Sequence, residues 1–70
     1  MSQDIRMILA KNIEKLRLKK GLKREELSLL LGFDNSYISK LEKARINITL
    51  DKLTKIAIFF EIDVYKLLKK

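Results

Sequence analysis

Seventy residues, 47% of them apolar, with a formal net charge of +7, exclude several kinds of protein before any motif is read. A chain this short buries only about 60% of its unfolded surface on folding, too little to build a core and also enclose a substrate cavity of roughly several hundred cubic ångströms. Histidine and cysteine are both absent, so disulfides, thiolate metal sites and imidazole catalysis are excluded, and the positive charge calls for a polyanionic partner.

Proline is absent and the two glycines are Gly21 and Gly32, a composition that predicts a single all-α domain over residues 1–70. Ile5, Leu9, Ile13 and Leu16 stand three or four apart and predict one stripe of a first helix, stopped at Gly21. A second helix is expected from about Arg24 to Leu31, with Leu27, Leu30 and Leu31 facing inward and Gly32 as its stop. After Gly32-Phe33-Asp34 a third helix begins, with Asp34 as the expected N-cap and Ile38 and Leu41 inward beside Tyr37. The polar stretch from Lys43 to Asn47 breaks the pattern. A fourth helix carries Leu50, Leu53, Ile56, Ala57 and Phe60, and a short fifth carries Val64, Leu67 and Leu68. The apolar run Ile56–Phe60 is far too short to span a bilayer. Asp4, Arg6, Lys11 and Glu14 interrupt the first twenty residues, so no signal peptide is visible and a cytoplasmic location is expected.

The informative feature is two short helices joined around Gly32, the pattern of a helix-turn-helix whose second helix enters the major groove of DNA. On a helical wheel Asn35, Ser36, Ser39, Lys40 and Lys43 occupy an arc of roughly 140° opposite Ile38 and Leu41. That outer face has no carboxylate, and Asn, Lys and Ser are side chains that donate to base edges or phosphates.

From Ile13 to Leu68 the chain resembles the Cro/C1-type helix-turn-helix regulators. The match is carried by Leu16-Arg17, Lys20-Gly21-Leu22, Glu25-Glu26-Leu27, Leu30-Leu31-Gly32, the run from Ser36 to Lys43, Asn47 and Leu50-Asp51-Lys52-Leu53. The resemblance implies a five-helix, lambda-repressor-like domain with the helix-turn-helix in helices 2 and 3. It implies a non-enzymatic transcriptional regulator, bacterial or phage-encoded, with double-stranded DNA as partner and no cofactor or small-molecule ligand. Carried over by position, Asn35, Ser36, Ser39 and Lys40 read bases. Lys23, Arg24, Tyr37, Lys43, Arg45 and Asn47 contact phosphates, and Arg17 and Glu42 form a structural ion pair. Within the family, Tyr37-Ile38-Ser39 and the stretch from Asn47 to Leu50 resemble controller proteins of restriction–modification systems.

The chain also departs from the family pattern. Lys23 and Arg24 replace a usual Ser or Thr followed by Gln, which removes the side-chain cap of helix 2, a loss of about 1 kcal/mol. Ala44 and Glu61 stand where glycine is usual, which puts the path of the loop after helix 3 in question and is expected to extend or distort the end of helix 4. Ile58 and Phe59 lie off the inward stripe of helix 4; with Tyr65 they form a candidate homodimer interface. Three other classes compete with this reading. An antitoxin-type interaction module uses the same fold. A basic amphipathic membrane-surface helix is disfavoured because the first helix spends its apolar stripe on the core. An enzyme is disfavoured because no carboxylate pair is placed with a base or pocket.

Overall fold

The computed structural model describes residues 4–70, so Met1–Gln3 of the expected domain lie outside the described residues. Five helices follow one another: α1 (Ile5–Lys19), α2 (Arg24–Leu30), α3 (Tyr37–Glu42), α4 (Leu50–Phe59) and α5 (Val64–Leu67). α1 starts at Asp4, whose carboxylate accepts from the Arg6 backbone N–H at 2.9 Å and pairs with the Arg6 guanidinium at 3.0 Å. α4 starts at Thr49, whose hydroxyl accepts from the Lys52 N–H at 3.2 Å. α2 has no such side-chain cap at Lys23; the Glu26 carboxylate instead accepts the Lys23 N–H at 2.8 Å.

The first four helices all end in the same way. Two backbone bonds close each C-terminus, for example Gly32 N to Leu29 O at 3.0 Å and Phe33 N to Ser28 O at 2.8 Å after α2. The residue donating the shorter-range bond sits in the left-handed region: Gly21 at φ 71°, Gly32 at 77°, Ala44 at 57° and Glu61 at 57°. Such a stop satisfies carbonyls that would otherwise be orphaned. The expected distortion at Glu61 is therefore corrected: α4 stops at Phe59, and Glu61 adopts the glycine-like conformation. Ala44 does the same after α3, so the loop there keeps the turn despite the missing glycine.

α1 packs against α3 and α5, α2 against α3, and α4 against α5. The shared core contains Leu9 and Ile13 of α1, Leu27 of α2, Ile38 and Leu41 of α3, Leu53, Ile56 and Ala57 of α4, and Leu67 of α5, joined by Leu31 and Phe60. Asn12 ties the C-terminal end to α1, its amide donating to the carbonyls of Leu67 at 2.7 Å and Lys69 at 2.8 Å. No helix among the described residues is long and apolar enough to cross a membrane.

Four expectations are corrected. Leu30 is 60% exposed because the Leu27–Leu31 pair and the buried Ser28 set the inward face of α2, leaving Leu30 about 110° away from it. Leu50, at the first position of α4, is 78% exposed, and Ile5, at the first position of α1, is also exposed. Asp34 does not cap α3 directly. That helix begins later, at Tyr37, with Ser36 in the cap position, and the Asp34 carboxylate accepts from the hydroxyl and backbone N–H of Ser36.

Candidate nucleic-acid interface

α3 is only six residues long, so what fixes its direction matters more than its own propensity. The core side chains Ile38 and Leu41 seat its inner face. Its start is held by Ser28 of α2, fully buried, whose Oγ accepts the Ile38 backbone N–H at 3.0 Å and donates to the Arg24 carbonyl at 3.0 Å. One hydroxyl thus satisfies two helices at once and fixes α2 against the start of α3. The turn between them is packed from outside by α4. Phe33 and Tyr37 meet edge to face at 4.8 Å, and the Lys52 ammonium lies 4.6 Å from the Tyr37 ring centre. Partial burial pushes the Tyr37 hydroxyl pKa up, so the phenol is a neutral donor at pH 7.

The end of α3 is held by Glu42. Its carboxylate receives Arg17 Nε at 2.7 Å and Nη2 at 3.2 Å, and Arg17 also donates to the Leu22 carbonyl at 2.8 Å. The side chains of Arg17 and Glu42 are only 8% and 4% exposed. Arg24 of α2 donates its Nε to the same carboxylate at 2.9 Å. Buried charges persist only when paired and hydrogen-bonded, and this pair meets both conditions.

The outer surface carries the remaining candidate residues. Asn35 and Ser36 lie in the turn before α3 rather than on the helix; Ser39 and Lys40 lie on it. Lys40 is exposed and Ser39 half-buried. The Asn35 amide donates to Glu25 at 3.4 Å. Hydrogen bonds from Ser36 hold the Asp34 carboxyl below its usual range, so this acid is occupied at the turn, and the Glu25 carboxylate also borders the surface. Lys43 and Arg45 follow α3 and are exposed. Asn47 is set apart from them, its side-chain carbonyl accepting from Arg6 of α1 at 3.4 Å. Among the described residues the ion pairs are Asp4–Arg6, Arg17–Glu42 and Arg24–Glu42, so Lys23, Lys40, Lys43 and Arg45 take part in none, although the Lys40 charge is felt by the Asp34 carboxylate. Of the three candidate interface residues, Ile58 is 69% and Tyr65 60% exposed. Phe59 corrects the expectation that it points away from the core: it is half-buried, edge-on to Phe60 at 5.1 Å with Lys20 over its ring. Sequence reading missed Ser28, whose signal was a serine flanking the Leu27–Leu31 pair.

A relative from Neisseria meningitidis, described as a hypothetical transcription factor, is 39% identical over 66 residues. The alignment covers 94% of this chain, which spans only 62% of that relative's length. The crystal structure of the Neisseria hypothetical transcription factor NHTF superposes with a TM-score of 0.90 at 39% identity, over 96% of this chain and 77% of that one. The restriction–modification controller protein C.AhdI from Aeromonas hydrophila gives a TM-score of 0.80 at 31% identity, over 89% and 94% of the two chains. The helix-turn-helix family model matches residues 13–67, and the chain belongs to that family, in its Cro/C1-type branch.

Proposed function

We propose that this chain is a non-enzymatic transcriptional regulator that binds double-stranded DNA sequence-specifically, as a homodimer on a palindromic operator. The observation that carries the reading is the run of cations Lys40, Lys43 and Arg45, none of them in an ion pair, along and just after α3, a helix fixed at both ends by buried polar contacts. Asn35, Ser36, Ser39 and Lys40 read base edges in the major groove. Lys23, Arg24, Tyr37, Lys43, Arg45 and Asn47 grip the phosphates on either side. The likeness to a transcription factor and to a controller protein supports regulation as the role, and a cytoplasmic location fits it. The experiment is a comparison of affinities for a selected and a random duplex. Lys40→Ala should lose about 1–3 kcal/mol on the selected duplex alone, whereas Lys43→Ala should weaken both by similar amounts. Equal losses from Lys40→Ala on both duplexes would remove it from base reading.

One α3 reads only a few base pairs, and a two-fold dimer places two recognition helices about 34 Å apart on successive turns of DNA. The exposed Ile58, the half-buried Phe59 and the exposed Tyr65 supply the interface. Ile58 and Phe59 line one cleft with Leu30, which extends the apolar surface onto α2. Sedimentation of the Ile58→Lys, Phe59→Ala double variant should show a folded monomer; a folded dimer would place the interface elsewhere.

A further inference from the structure

Glu42 receives three hydrogen bonds from two arginines that differ in burial. Arg17, inside the fold, takes both oxygens and neutralises the carboxylate. Arg24 is half exposed and donates only its Nε, at 2.9 Å, to Oε1. Neither terminal amino group of Arg24 has a hydrogen-bond partner among the described residues. The three side chains together carry one net positive charge, and it resides on the exposed member, which also feels the Glu14 carboxylate of α1. A guanidinium is planar, so fixing its Nε edge against a rigid carboxylate restricts the direction of the remaining N–H groups. Arg24 opens α2, and Glu42 closes α3, so this fork sits where the two helices of the recognition unit meet.

We infer that Glu42 is a positioning residue for DNA binding, its buried carboxylate holding Arg24 by Nε so that the two terminal amino groups present a preset fork to one DNA phosphate. The inference rests on the DNA-binding reading above and adds to it a link between the interior ion pair and the phosphate contact. A phosphate accepts two parallel N–H bonds from such a fork, and the ordering of a long flexible side chain is then completed before DNA arrives. A contact of this kind fixes register on the duplex without reading bases.

The test uses the full chain, with a duplex selected from a random pool by the unaltered protein and a random duplex of the same length. Arg24→Ala should weaken both by about tenfold or more, and lower the salt slope by about one. Arg24→Lys keeps the charge but has no Nε to seat on Glu42, so it should bind within about twofold of Arg24→Ala, on the argument that a lysine is a point charge rather than a fork. Glu42→Gln should weaken binding by a similar factor, and by nothing further when Arg24 is already alanine. Circular dichroism checks folding of each variant; if Glu42→Gln unfolds, the Arg24→Lys comparison decides alone. Binding by Arg24→Lys equal to that of the unaltered protein would overturn the positioning role while leaving the DNA reading intact. So would a Glu42→Gln loss of the same size with and without Arg24. Failure of the unaltered protein to bind either duplex at low salt would overturn both.

Discussion

Between α1, α2 and α3 the interior holds the polar side chains Arg17, Ser28 and Glu42 among Ile13, Leu27 and Ile38, whereas the buried side chains of α4 and α5 are all apolar: Leu53, Ile56, Ala57 and Leu67. Apolar contacts reward burial but are tolerant of angle, because area removed from water has no direction. Hydrogen bonds to a carboxylate or a hydroxyl tolerate little rotation, and leaving one unmade inside the fold is expensive. The half of the molecule that presents α3 therefore carries the buried polar side chains, and the buried side chains of the other half supply bulk. The corners differ as well: Gly21 and Gly32 turn the chain after α1 and α2, and Ala44 and Glu61 turn it after α3 and α4, through the same left-handed conformation.

The largest expected effect breaks the polar half. Glu42→Ala leaves the Arg17 guanidinium buried without its partner and should lower unfolding free energy by about 3–5 kcal/mol, much of what a domain this size has. Ile56→Val, a one-methylene truncation at a fully buried position of α4, should lower it by only about 0.5–1.5 kcal/mol. Urea denaturation of both variants measures the contrast, and equal losses would erase the distinction between the halves.

A smaller effect sharpens the comparison of corners. An added Cβ at Gly32 meets only the Lys55 ammonium, at 3.8 Å, so Gly32→Ala is opposed by backbone strain and not by crowding. It should destabilise by about 1 kcal/mol. Glu61→Gly removes the same strain in the second half and, after the entropy gained by the unfolded chain, should stabilise by about 0.5–1 kcal/mol. Thermal unfolding should move the two variants in opposite directions. A destabilised Glu61→Gly would mean that the glutamate side chain contributes more than its backbone strain removes.

These elements were not equally legible in the sequence. The stripes Leu9–Ile13 and Leu53–Ile56–Ala57 lie on helices of 15 and 10 residues, long enough for period to place them inward. α2 has seven residues, two turns at most, and there a shift of the inward face toward Ser28 was enough to expose Leu30. The start of α3 is not legible locally: Asp34 is a good cap by composition, yet its carboxylate satisfies Ser36 in the turn. The link from Arg24 to Glu42 joins residues 18 positions apart and depends on the angle at which α2 meets α3, which no local pattern encodes. At Glu61 and Ala44 the residue type argued against a left-handed stop; the two closing hydrogen bonds and the docking of the following segment hold it nonetheless.

The most direct test of the central claim, that the α3 surface grips duplex DNA, is an anisotropy titration of a selected duplex between 50 and 200 mM salt. If a dimer neutralises about 6–10 phosphates, affinity should fall by roughly 10³–10⁵-fold over that range, as displaced counterions return to the DNA. An affinity indifferent to salt, or no binding at about 50 mM, would contradict it.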